Sequence, residues 1–253
     1  MSSQPAITKE DIQASNRRPL LVIRSGSSAP PEYMLSLADL GPSYSIPIVF
    51  YNQLGCGRST HIREKYGDGE FWTEDLLCDE LDNLLQKLGG IFASRFAMRQ
   101  PKGLNHLIVA STPTSATLWI QTAERFKANL PQNHDDAGTT SDPEYEAALH
   151  HYYIRHVVGL IFGRLNCLQS GPSEIHITGT LKNWSMIDDL HKITASVLVL
   201  NSRSDKAQDE VVEPFYRIVP RCKWLQFAES SHLPFWEERE KPTQVVADFL
   251  REI

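Results

Sequence analysis

Five short apolar runs punctuate the chain: residues 20–24 (LLVIR), 46–51 (IPIVFY), 105–111 (NHLIVAS), 195–202 (ASVLVLNS) and 223–227 (KWLQF). Each has strand length. Their apolar character is too continuous for a strand with one wet face, so they predict a parallel sheet covered on both sides. Helical patterns lie between them, giving a β-α alternation and an α/β fold class. Residues 72–88 form the clearest helix. Thr73 can cap its N-terminus, and Glu74 and Asp75 favour the first turn. Leu77, Leu81, Leu84, Leu85 and Leu88 form a stripe at i, i+4, i+7 spacing, and Gly89 suits a left-handed C-terminal position. A last helix is expected from Thr243, with Val245, Val246, Phe249, Leu250 and Ile253 on one face.

The middle of the chain is different in kind. Residues 130–141 (LPQNHDDAGTTS) are a polar loop. Ser141-Asp142-Pro143-Glu144 then reads as a capping box with proline near the first turn, opening a Tyr- and His-rich helix to about Val158.

Composition narrows the function classes. Of 253 residues, 41% are hydrophobic and 22% charged, the balance of a soluble globular protein, and the length suits one core with a small cap. A net charge of −6 without any long Lys/Arg run argues against nucleic-acid binding. No apolar run approaches membrane-spanning length, and polar residues 1–18 contain no secretory h-region, so a cytoplasmic location is expected. Cys56, Cys78, Cys167 and Cys222 lack C-x-x-C spacing, and His150, His151 and His156 lack H-E-x-x-H spacing. Reduced thiols, no metal and no cofactor are therefore expected.

Open parallel sheets gather their chemistry at the carboxyl ends of the strands. Asp205 follows the fourth predicted strand, and His232 follows the fifth, within Ala228-Glu-Ser-Ser-His-Leu-Pro234. A carboxylate there can accept Nδ1–H and turn Nε2 toward a nucleophile. The same pair also fits a turn aspartate and a surface histidine. Candidate nucleophiles are weak. Ser27 and Ser28 follow Gly26 at a strand end, Ser111 ends the third strand, and Ser231 adjoins His232. Each also fits an ordinary turn or cap residue. Cys56, between two glycines, has no neighbouring cation to lower its pKa.

Four blocks carry a resemblance: residues 19–40 (PLLVIRSGSSAPPEYMLSLADL), 46–60 (IPIVFYNQLGCGRST), 170–184 (SGPSEIHITGTLKNW) and 227–240 (FAESSHLPFWEERE). Together they resemble the proline iminopeptidase (prolyl aminopeptidase) family of α/β-hydrolases. The resemblance implies an α/β-hydrolase core over residues 19–114 and 189–253, a reduced helical cap over 115–188, and a polar tail before residue 19. It implies that Asp205 is the acid and His232 the base of a Ser-Asp-His triad. By the same likeness Glu174, in Gly171-Pro-Ser-Glu174, would pair with a substrate α-ammonium. Gly26 would be the survivor of a glycine-rich oxyanion turn. The implied substrate is a small molecule or short peptide, and the implied activity is hydrolysis of an N-terminal residue or a small aminoacyl amide or ester. Relatives of this kind also occur in fungal specialised-metabolite pathways.

Three departures set this chain apart. The glycine-rich turn, His-Gly-Gly-Pro-Gly in the family, reads Arg24-Ser-Gly-Ser-Ser28, and Asn52 replaces an aspartate. No G-x-S-x-G exists anywhere in the sequence. The helix ending at Leu88-Gly89 runs straight into Gly90-Ile-Phe-Ala-Ser-Arg-Phe96, which is similar to the helix that follows the nucleophile in the family. The expectation is therefore an α/β-hydrolase sheet without its central nucleophile strand. Three readings follow: a working hydrolase, a non-catalytic binding protein, or a product of incomplete sequence.

Overall fold

The computed structural model describes residues 18–23, 31–55, 59–65, 68–73, 75–76, 78–81, 94–127 and 183–252. All five expected strands are present: β1 (Leu20–Ile23), β2 (Ile48–Tyr51), β3 (His106–Ala110), β4 (Ser196–Ser202) and β5 (Cys222–Phe227). Every ladder is parallel. Strand β2 starts two residues later than the apolar run predicts. Pro47 has no N–H to give a ladder, although its carbonyl still accepts from Leu20 N at 2.8 Å. Ile46 is buried all the same, and its N–H closes onto Leu40 O at the end of α1 (Leu40–Tyr44).

After β2 come α2 (Ser94–Met98), α3 (Ala116–Lys127), α4 (Asp209–Ile218) and α5 (Pro234–Glu237). The last, α6 (Glu240–Arg251), begins three residues before the expected Thr243. Its Pro242 sits in the first turn, where a missing N–H costs nothing. Helix α4 had no counterpart in the pattern reading. It forms despite Pro214 because Val211, Val212 and Phe215 are wholly buried against the sheet. Residues 75, 76 and 78–81 are helical as expected, and Thr73 Oγ1 accepts from Leu76 N at 3.1 Å, the predicted cap. The remainder of that helix, Gly89, Gly90, and residues 128–182 of the expected cap lie outside the described residues. No helix among the described residues is long and apolar enough to cross a membrane.

Among the described residues the sheet is in two pieces, β1-β2 and β3-β4-β5. The ladder is interrupted between the β1-β2 pair and β3-β4-β5, and residues 82–93 lie outside the described residues. Two features tie the pieces together. Arg18, just ahead of β1, donates to Gly103 O at 2.5 Å and Asn105 Oδ1 at 3.2 Å, just ahead of β3. A single apolar cluster also runs under both pieces: Val22 and Ile48 share it with Leu198, Leu200, Phe227, Phe235, Val246 and Phe249. The opposite face of β3-β4-β5 has its own core, where Leu107, Val109, Val197 and Val199 meet α4 and the 3-10 turn Ile187–Lys192. Alternation along β4, with Val197 and Val199 on one side and Leu198 and Leu200 on the other, supplies both cores from one strand.

Strand β4 should therefore dominate stability. Leu200→Ala is expected to cost about 2–5 kcal/mol in urea unfolding, whereas Trp236→Ala, at a side chain 56% exposed, should change it by less than about 0.5 kcal/mol.

Candidate active site

The end of β4 is shaped by a polar residue inside an apolar strand. Asn201 is fully buried. Its Nδ2 donates to Asp209 Oδ1 at 2.9 Å and Ala207 O at 3.2 Å, and its Oδ1 accepts from Trp224 Nε1 at 2.9 Å. One amide thus links β4, β5 and the start of α4, and it curls residues 203–208 into a tight turn. Asp205 N closes that turn onto Ser202 O at 3.0 Å. The Asp205 side chain points inward and has no exposed surface.

His232 arrives from the next strand. Its loop is held by carboxylates of the short helix that follows. Glu237 accepts from Ser231 N and Ser231 Oγ, each at 2.5 Å, and Glu238 accepts from Ser230 Oγ. Backbone bonds join the two strand-end loops: Arg203 N to Phe227 O at 2.8 Å, and Ser204 N to Ser230 O at 3.4 Å. Asp205 Oδ1 and His232 Nδ1 meet at 2.7 Å. An ionised carboxylate can only accept, so Nδ1 carries a proton, and in the neutral ring this leaves the lone pair on Nε2. Among the described residues nothing hydrogen-bonds Nε2, and the His232 side chain is 19% exposed. A half-buried imidazole held in this tautomer can take a proton from a hydroxyl or a water placed at Nε2.

No candidate nucleophile among the described residues occupies that position. Ser231 Oγ is committed to Glu237. Ser111 Oγ donates to Asp205 Oδ2 at 2.5 Å, on the acid rather than on the base. Burial pushes the Cys222 thiol up to about 11, which leaves it protonated at neutral pH. Glu174, Gly26, Ser27, Ser28, Cys56 and the three histidines of residues 150–156 lie outside the described residues.

The turn after β2, where Asn52 stands in place of the family's aspartate, is held from elsewhere. Leu54 N donates to both oxygens of Glu80, at 2.9 and 3.2 Å, and Gly55 N donates to Thr60 O at 2.8 Å. Gly55 has φ +79°, and a Cβ there would sit 2.8 Å from the Trp72 ring. Nothing in the spacing of Glu80 along the helical pattern points to a backbone N–H 26 positions away. Glu237 and Glu238 were equally silent, being two charges in an acidic run. Asn201 did carry a signal, as an amide inside an otherwise apolar strand.

No family model matches the chain. The chain is similar to the crystal structure of VinJ, with 33% identity, a TM-score of 0.82, and coverage of 94% of this chain and 91% of that one. It is similar to the same degree to the proline iminopeptidase of Mycobacterium smegmatis: 31% identity, TM-score 0.82, coverage 92% and 89%. Among curated proteins, the proline iminopeptidase of Saccharolobus solfataricus is 26% identical over 276 residues, covering 96% of this chain and 87% of that protein. That alignment is longer than the 253-residue chain itself, so the relative carries segments that this chain lacks.

Two outcomes follow from the site's geometry. At pH 8 about one Cys222 thiol in a thousand is ionised; iodoacetamide should label it at least a hundredfold more slowly than a free thiol, read by mass spectrometry of the native protein. Glu237→Gln should weaken the clamp on the His232 loop and lower stability by about 1–3 kcal/mol in chemical denaturation.

Proposed function

The chain belongs to the proline iminopeptidase family of α/β-hydrolases, and on that premise we propose that its site is the acid–base half of an aminoacyl hydrolase. The reaction would be release of an N-terminal residue, or cleavage of a small aminoacyl amide or ester. His232 takes the nucleophile's proton and returns it to the leaving group, while Asp205 holds the ring and stabilises the imidazolium. Glu174 pairs with the substrate's α-ammonium, which selects substrates with a free N-terminus. The observation that carries this reading is the 2.7 Å contact between Asp205 and His232 at adjacent strand ends, with Ala207 N on the same carboxylate oxygen and the histidine loop held by Glu237.

The nucleophile is the missing half. We place it on a strand and turn between Leu88 and Ile91 that this sequence does not contain. An alignment longer than the chain supports this placement.

The chain as written should hydrolyse aminoacyl amides and esters negligibly and resist fluorophosphonate labelling, since loss of a triad member costs several orders of magnitude in rate. Labelling that His232→Ala abolishes would instead reveal a replacement nucleophile. The transcript sequenced across the codons for Leu88 and Ile91 is expected to contain additional in-frame codons. A mature message reading Leu88-Gly89-Gly90-Ile91 without interruption, from which a cooperatively folding protein is made, would sink the missing-segment proposal and favour a binding protein. In a form with the segment restored, Glu174→Gln should raise KM for aminoacyl substrates by about 10–100-fold, with a smaller change in kcat.

A further inference from the structure

Ser111 combines two unusual features. It lies one residue past the end of β3 with φ +50°, a left-handed backbone that a non-glycine residue adopts only under constraint. Its hydroxyl also lies 2.5 Å from Asp205 Oδ2 and 3.3 Å from the carbonyl of His232. A serine hydroxyl has one proton to give. The shorter contact, to the charged oxygen, takes it. The backbone is pinned at the same time by Ser111 N donating to Leu200 O at 2.8 Å, which carries the β3-β4 ladder one step past β3.

The consequence lies in how the Asp205 carboxylate is satisfied. Oδ1 takes two donors, His232 Nδ1 at 2.7 Å and Ala207 N at 2.8 Å. Oδ2 takes one, the Ser111 hydroxyl. Asp205 has no exposed surface, so water cannot replace a lost donor without rearrangement. Without the hydroxyl, Oδ2 becomes an unpaired charged oxygen in the interior, and the carboxylate gains by rotating about its last side-chain bond to find another donor. That rotation withdraws Oδ1 from His232.

We infer that Ser111 is a positioning residue: it fixes the rotation of the Asp205 carboxylate and so decides which oxygen faces His232. The inference rests on the reading of Asp205 and His232 as an acid–base pair, and its test separates the two.

The test is proton NMR of the chain as it stands, following the far-downfield resonance of a histidine Nδ1–H bonded to a carboxylate. The resonance should be present in the unaltered protein and absent in Asp205→Asn, which establishes the pair. In Ser111→Ala the Nδ1 proton should exchange with water about tenfold faster or more, the size expected when one hydrogen bond in a buried set is removed. Ser111→Gly supplies the control for backbone strain, since it relieves the positive φ while also deleting the hydroxyl. Fast exchange in the glycine variant, despite a relaxed backbone, supports the role of the hydroxyl, and this variant carries the test if the alanine variant does not fold. Unchanged exchange in either folded variant, with Asp205→Asn still abolishing the signal, overturns the positioning role and leaves the acid–base pair standing. A resonance missing from the unaltered protein, or indifferent to Asp205→Asn, overturns both.

Discussion

A carboxylate with no exposed surface at the end of β4 sets the terms for this half of the molecule. A buried charge is tolerated only when its oxygens are paired, and Asp205 meets that demand from three directions: a backbone N–H of its own turn, the imidazole of the β5 loop, and the hydroxyl at the end of β3. Each donor arrives from a different strand end. The pairing therefore requires β3, β4 and β5 to be in register and their loops to be held, which explains the hardware around them: the Asn201 amide fixes the turn, and Glu237 and Glu238 clamp the histidine loop. The site and the sheet stabilise one another, so damage to either is felt by both.

The other half of the sheet obeys a looser constraint. Strands β1 and β2 pair with each other and reach the rest of the protein through Arg18 and through the apolar cluster under both pieces. Dispersion and burial are not directional, so a cluster of this kind can hold two sheet fragments beside one another without a continuous ladder. Backbone hydrogen bonds are directional, and a continuous ladder would need a strand between the two fragments. In the α/β-hydrolase arrangement that strand also delivers the nucleophile.

The elements whose physics is local could be read from sequence. Five apolar runs became five parallel strands, Thr73 caps the helix it was expected to cap, and the order acid-then-histidine placed Asp205 and His232 at neighbouring strand ends. The errors were also local in origin. Pro47 shortens β2 by removing a donor, Pro242 marks a first turn rather than a boundary, and α4 forms through Pro214 because burial of Val211, Val212 and Phe215 outweighs the broken hydrogen bond.

What the sequence determined by itself was the kind of fold, the position of Asp205 and His232 after neighbouring strands, and the absence of a G-x-S-x-G motif, because periodicity, chain order and motif are properties of neighbouring residues. Only the tertiary structure decided the rest. Ser111 reads in the sequence as one more serine after a strand, yet its hydroxyl rests on a carboxylate 94 positions away. Glu80 holds the turn after β2, and Arg18 spans the break to Asn105 across 87 positions. Charged and hydroxyl side chains carry no period that marks their partners. Where each one pairs is fixed by which strand ends the sheet brings together, and that is settled only when the strands are in place.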